Sequence, residues 1–243
     1  MISFNGHSGC SIKMLSDGIV RKTSSNTDYN SRLQNQMLKQ KQFYHPVIRT
    51  TDIVDCGYNS DGLFYFDMKY IRGVNLSIYF QQNTLNSCMK IIDLFSSFNT
   101  ETQIDISDAI NKKIRTINID EESLKLITDQ RWTVSSGYCH GDLTFENVLI
   151  NSDGVYLIDF LDSFVECPII DESKLLQDSF CYWSFKNNIP KRKLITVCDK
   201  FDTRQHYCML LLHLFRIIPY ANAAKKENLL CMINRVKTKI NQF

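Results

Sequence analysis

The hydrophobic pattern changes its period once along the chain, and that change does most to limit the possible folds. Up to Gly73 the apolar residues fall in short β-like runs at 12–15, 19–21, 53–56 and 63–70, around one stretch of helical spacing at 29–43. Alternation sends side chains to opposite faces of a strand, whereas recurrence every three to four residues makes one stripe on a helix. Residues 1–73 therefore predict a small sheet with a helix. Beyond Gly73 the spacing is helical: 88–98, then 104, 106, 110, 114 and 117, then 208–218 and 229–240. One interruption breaks this pattern. Residues 148–150 and 155–158 are β-rich and are joined by Asn151, Ser152, Asp153 and Gly154, a polar turn in which glycine can supply a positive φ. The expected fold class is α+β, with a small N-terminal β-sheet lobe over 1–73 and a mainly helical C-terminal lobe over 74–243 that contains this hairpin.

With 243 residues, 44% of them hydrophobic, the chain has enough apolar material for a real core. Its 28 basic and 26 acidic residues leave a net charge of +2, so the excess of cations that a phosphate-backbone binder needs is missing and nucleic acid is not an expected partner. The nine cysteines are odd in number, form no Cys-x-x-Cys pair, and follow no basic-then-apolar leader. They read as reduced thiols of a cytoplasmic protein. The most apolar run, 208–218, is half the roughly 20 residues a membrane span requires and carries His213 and Arg216, which makes it a core helix and predicts no membrane span.

The chemistry concentrates in Tyr138-Cys139-His140-Gly141-Asp142-Leu143-Thr144-Phe145-Glu146-Asn147, the hairpin, and Leu157-Ile158-Asp159-Phe160. A carboxylate, an amide five residues later and a second carboxylate twelve residues beyond that form a compact set of oxygen donors. Such a set suits Mg²⁺, which takes few protein oxygens and completes its shell with water and phosphate. The five histidines are dispersed, so a two-metal phosphoesterase is disfavoured, and His206 with His213 fit core packing better than zinc.

His-Gly-Asp-x-x-x-x-Asn followed by Ile-Asp-Phe resembles the aminoglycoside phosphotransferase and choline kinase-like family, whose members share the two-lobed protein-kinase-like fold. The resemblance implies that Asp142 orients and accepts the proton of an acceptor hydroxyl, that Asn147 and Asp159 hold magnesium, and that His140 braces the catalytic loop. It also implies that ATP lies under the glycine-bearing turn Asn5-Gly6-His7-Ser8-Gly9-Cys10-Ser11, with Ser8, Gly9, Cys10 and Ser11 against its phosphates. Gly18-Ile19-Val20-Arg21-Lys22 resembles the family's third strand, which makes Lys22 the expected phosphate-binding cation. Arg21 and Lys13 compete, although alternation sets Arg21 and Lys22 on opposite faces. Residues 63–73 resemble the last strand and hinge, where Lys69, Tyr70 and Ile71 would meet the adenine edge.

The chain departs from the family in one place: no Glu precedes Glu101, so the usual carboxylate partner of the lysine is replaced by Gln36 or Gln40. Asp171 and Glu172 begin a helix expected to support the catalytic loop, and Asp162, Glu166, Trp183 and Arg216 are candidates to line an acceptor pocket. The reading that follows is an ATP- and Mg²⁺-dependent kinase acting on a hydroxyl of a small molecule: a sugar, a choline-like amino alcohol or an aminoglycoside. Two alternatives stand beside it. The missing Glu would suit a nucleotide-binding pseudokinase or scaffold without turnover. A Ser/Thr protein kinase shares the loop, but Asp-Phe-Gly and Ala-Pro-Glu signatures are absent after Asp159.

Overall fold

The computed structural model describes residues 3–5, 10–15 and 18–243. Contacts divide the chain into two compact units, Met1–Tyr79 with Glu146–Asp162, and Phe80–Phe145 with Ser163–Phe243.

The first unit is built on an antiparallel sheet of β1 (Ser3–Asn5), β2 (Cys10–Met14), β3 (Ile19–Ser24), β5 (Ile53–Tyr58) and β6 (Phe64–Lys69), in the order β1-β2-β3-β6-β5. Helix α1 (Asn30–Gln42) supplies Leu33 and Met37, one turn apart, to a core shared with Cys10, Phe64 and Phe66. The helix start is fixed by polar contacts: Asn30 accepts the Phe64 N–H at 2.8 Å and donates to the Gly62 carbonyl at 2.9 Å. On β3 the alternation is strict, with Val20, Lys22 and Ser24 buried and Arg21 and Thr23 less so. A second sheet orders β4 (Ile48–Thr50), β11 (Gly154–Leu157), β10 (Val148–Asn151) and β7 (Val74–Asn75). The hairpin expected at 148–158 is thus present, turning through Ser152 and Asp153, where Asn151 Oδ1 accepts the N–H groups of Asp153 and Gly154 at 2.8 and 3.2 Å. Its strands pair with 48–50 and 74–75, so contacts group it with the N-terminal sheet and not with the helices among which the sequence placed it. Gly73 allows this pairing, because a Cβ there would lie 2.8 Å from the Ile150 carbonyl oxygen.

The second unit holds α3 (Leu85–Phe95), α4 (Ser107–Ile114), α5 (Glu121–Thr128), α6 (Pro168–Cys181), α7 (Lys191–Lys200), α8 (Arg204–Ile217) and α9 (Ala223–Ile240); α2 (Leu76–Gln82) runs across the division of the chain. Helix α8 is buried without a break from Tyr207 to Phe215, as an apolar run of this length is when it forms the centre of a bundle, and it packs against α6 and α9. No helix among the described residues is long and apolar enough to cross a membrane.

One expectation is corrected. Ile104 and Ile106 do not continue a helix through 104–117: β8 (Asn99–Asp105) pairs with β9 (Thr133–Gly137), and α4 starts only at Ser107 and stops at Ile114. Thr100, Thr102 and Ile104 alternate as a strand requires, and a helical spacing counted from two isoleucines concealed that alternation. At the far end of this pair the backbones come very close. A Cβ on Gly137 would fall 1.9 Å from the Phe98 carbonyl oxygen, which accepts the Tyr138 N–H at 2.9 Å, and Gly137 has φ +151°. Gly137→Ala should therefore cost at least about 2 kcal/mol of stability. Denaturant unfolding measures this, and a parent-like midpoint would contradict the close approach.

Candidate active site

In the first unit a cavity of about 410 Å³ opens beneath β3 and β6, within the size range of small-ligand sites. Ile12, Val20, Phe66, Met68, Leu149 and Ile158 form apolar walls suited to a flat base, and Lys22, Gln36, Asn147 and Asp159 are among its polar groups, with Gln40, Thr51 and Glu146 beside them. Asn147 ends the loop before β10, and Asp159 follows β11. The two are tied together by the Ile158 N–H, which donates to the Asn147 carbonyl at 3.1 Å. Asp159 has a left-handed backbone, φ +62°.

Lys22 is almost fully buried. Its ammonium donates to Gln36 Oε1 at 3.1 Å and makes a short ion pair with the Asp159 carboxylate. Gln36 is oriented for this by donating its own amide to the Tyr29 hydroxyl at 3.0 Å. Burial alone would pull the lysine down, but the Asp159 charge and hydrogen bond outweigh it and hold the ammonium above its ordinary value, so the group is a cation. The lysine's amide partner is Gln36; Gln40 instead donates to the Thr51 carbonyl at 3.1 Å. Arg21 is committed to the opposite face, with two bonds to Asp67 at 2.7 and 2.8 Å and its guanidinium 3.8 Å from the Tyr65 ring centre. The segment after Asp159 is held on α1, where Lys39 donates to the Leu161 carbonyl at 2.7 Å, Arg32 pairs with Asp162 at 2.9 Å, and Phe43 meets Phe160.

The remaining predicted nucleotide contacts divide. Lys69, Tyr70 and Ile71 line the cavity. The N–H of Lys69 is donated to Asp52 and that of Tyr70 to Gly18, at 3.1 and 2.6 Å, and Thr51 donates its hydroxyl to the Lys69 carbonyl. Cys10 packs into the core and Ser11 pairs with Thr23; neither is among the described lining residues, where Ile12 takes their place. Ser8 and Gly9 lie outside the described residues.

In the second unit, helix α6 organises the loop. The buried Asp171 carboxylate accepts the N–H groups of His140 and of Gly141, the latter at 2.9 Å, while Gly141 takes φ +93°. His140 is fully buried, and its Nδ1 accepts the Asp142 N–H at 3.3 Å, a bracing role. Asp178 accepts the N–H groups of Phe145 at 2.7 Å and Ser184 at 2.8 Å. Asp142 itself is partly exposed and pairs with Lys174 Nζ at 3.1 Å. Lys174 and Asp178 were not singled out from sequence. The signal was there as polar residues spaced 171, 174 and 178, one face of a helix that is buried almost all round. Glu172 points elsewhere, to His206 at 2.9 Å and Asn99 at 2.7 Å, which accounts for that histidine without zinc.

Among the described residues no group of three or more His, Cys, Asp or Glu side chains is placed to hold a metal ion. The donor set of Asn147 and Asp159, one amide and one carboxylate oxygen, fits Mg²⁺ bound together with phosphate oxygens, since that ion keeps most of its shell for water and phosphate.

No protein-family model and no curated protein matches the chain. Solved structures do. A thermostable mutant of aminoglycoside phosphotransferase APH(4)-Ia, in ternary complex with AMP-PNP and hygromycin B, is 11% identical and aligns over 99% of this chain and 92% of its own, with a TM-score of 0.69. The GDP complex of wild-type aminoglycoside 2'-phosphotransferase-IIIa is 14% identical over 99% of this chain and 92% of its own, with a TM-score of 0.66. A GDP and kanamycin complex of an APH(2") enzyme is 13% identical over 100% of this chain and 93% of its own, with a TM-score of 0.65. The chain therefore has the protein-kinase-like fold of the aminoglycoside phosphotransferases, a small antiparallel sheet lobe and a mainly helical lobe, as the motif resemblance predicted.

The core near the loop is sensitive to acid. His213, fully buried on α8, is held well below its ordinary value of 6.5, by burial first and then by the charges of Lys174 and Arg216. The native ring is neutral, whereas the unfolded ring takes a proton below about pH 6.5, so the unfolded state binds more protons there. Stability is thus complete above that pH and falls below it by roughly 1.4 kcal/mol per unit. Unfolding midpoints at pH 7.5 and 5.5 should show the loss, and His213→Gln should remove most of it. An unchanged slope in that variant would mean another group titrates.

Proposed function

We propose that this protein is an ATP- and Mg²⁺-dependent small-molecule kinase that transfers the γ-phosphoryl group to a hydroxyl of a sugar, a choline-like amino alcohol or an aminoglycoside. The observation that carries this reading is the meeting of a buried, charge-stabilised Lys22 with Asn147 and Asp159 in one cavity with apolar walls. The same loop, five residues earlier, carries an aspartate fixed through Asp171 and His140.

In this reading residues 1–73, with Asn147 and Asp159, take the nucleotide, and the helical part takes the acceptor. The base would slide between the apolar walls. Its edge would meet the Tyr70 carbonyl and the Ile71 peptide, because the N–H groups of Lys69 and Tyr70 are already donated within the protein. Lys22 would contact the phosphates. Asn147 and Asp159 would hold Mg²⁺, which when bound neutralises charge on the phosphate oxygens. Asp142 would align the acceptor hydroxyl and take its proton late in the transfer, because an alcohol is too weak an acid to ionise beforehand. The neutral Gln36 is the feature on which a non-catalytic, nucleotide-binding reading would draw. Against that reading, the lysine is paired with the carboxylate of Asp159.

The test is product mass after incubation with Mg-ATP or Mg-GTP and a panel of sugars, amino alcohols and aminoglycosides. Asp142→Asn should lower turnover by about 10³-fold or more while ADP binding changes less than twofold, as expected for a residue acting in the transition state. Full activity in that variant would end the assignment of Asp142 as base. Lys22→Ala should raise the KM for ATP and lower kcat, and if both stay at parent values the phosphate-binding cation lies elsewhere. Nucleotide binding with no product across the whole panel would favour the scaffold.

A further inference from the structure

Helix α6 turns three polar side chains toward the catalytic loop, and two of them hold its backbone, since Asp171 and Asp178 accept loop N–H groups. Lys174, between them, holds no backbone group of the loop. Its ammonium is largely buried, donates to the neutral Gln177 Oε1 at 3.4 Å, and meets Asp142 Oδ1 at 3.1 Å. From α8, packed against α6, the neighbouring charged and titratable groups are Arg216 and His213. Arg216 hydrogen-bonds His213 Nδ1 at 3.1 Å, and the ring is kept neutral by burial and by the two cations. Desolvating an ammonium is costly, and a methionine would fill this place without that cost. The charge is nevertheless kept, against the one carboxylate that the proposed reaction uses as base.

We propose that Lys174 is a positioning residue for phosphoryl transfer, which fixes the Asp142 carboxylate and cancels its charge where the triphosphate must approach. This rests on the reading of Asp142 given above. The charge balance shows the benefit. As the acceptor O–H bond breaks, its proton goes to Asp142, the acceptor oxygen bonds to the γ-phosphorus, and the bond to the leaving ADP oxygen breaks with its electron pair. Lys174 keeps its protons throughout. With the lysine, the Lys174–Asp142 pair passes from neutral to +1 during transfer. Without it, the carboxylate would stand at −1 beside a polyanion before the same step, disfavouring the approach of the γ-phosphate; the change of +1 on proton transfer is the same in both cases, so the benefit falls on the approach.

The consequence can be read at equilibrium, with no acceptor present. Calorimetric titration of the full chain with Mg-AMP-PNP and with Mg-ADP compares a nucleotide that carries the γ group with one that lacks it. In Lys174→Met, AMP-PNP should bind about tenfold more weakly, the order of magnitude of one uncompensated charge near a protein surface, while ADP changes less than twofold. Adding Asp142→Asn to Lys174→Met should restore AMP-PNP binding to within twofold of the parent, and Lys174→Arg should bind as the parent does. Asp142→Asn alone should bind both nucleotides no more weakly than the parent, which keeps the test open should Lys174→Met fail to fold. Unchanged AMP-PNP affinity in Lys174→Met would overturn the proposal, as would equal losses for both nucleotides that Asp142→Asn does not rescue. If the parent binds neither nucleotide, the functional reading itself falls. If the parent binds both and Asp142→Asn keeps full phosphoryl transfer, the assignment of the base fails separately.

Discussion

The carboxylate of Asp171 holds the backbone on which the rest of the candidate chemistry depends. It is buried and accepts consecutive N–H groups from His140 and Gly141, two bonds from one side chain that together fix the loop. For both N–H groups to face one side chain, the chain must turn through a positive φ, which Gly141 supplies. Asp142 comes next, so its orientation is inherited from a bond made on another element. That element is in turn placed by the apolar packing of α6 against α8. The path from hydrophobic sequence to candidate base is therefore short: a bundle core, a polar stripe on one helix, a loop pinned to that stripe.

Each unit repeats one device. A lysine is buried and answered by an aspartate of the candidate site: Lys22 by Asp159 in the first, Lys174 by Asp142 in the second. Burying an ammonium is unfavourable unless it is paired, and removing one partner is costly, so such pairs hold their geometry more tightly than surface pairs do. The neutral Gln36 fits this scheme. It fixes the direction of the Lys22 ammonium while leaving the charge to be matched by Asp159.

Much of this arrangement was legible in the sequence. Alternation on 19–24 assigned Lys22 and Arg21 to opposite faces, helical spacing delimited 30–42 to within a residue at each end, and the Asn-Ser-Asp-Gly turn marked the hairpin. The motif resemblance predicted the fold that the solved structures share. What escaped has physical reasons. Strands β4 and β7 are three and two residues long, too short for any periodic signal, so the neighbours of the hairpin could not be foreseen. Strand β8 is mostly polar and exposed, and Ile104 near its end together with Ile106 just beyond it mimics the start of a helix. The choice between Gln36 and Gln40, one turn apart on the same face, is settled by Tyr29 and Thr51, which bind the two amides from different directions. Lys174 was hidden because, three residues after Asp171 and four before Asp178, it reads as an ordinary charge on a helix surface.

Asp159 takes a backbone conformation that glycine adopts without strain and that other residues enter at a cost of order 1 kcal/mol. Asn tolerates the same region, but with a neutral oxygen. Glycine would relieve that strain but leave the buried Lys22 ammonium without its carboxylate, a larger loss, so the ion pair holds the strained backbone in place. The strain at residue 159 is thus borne by the same contact that keeps the Lys22 ammonium charged.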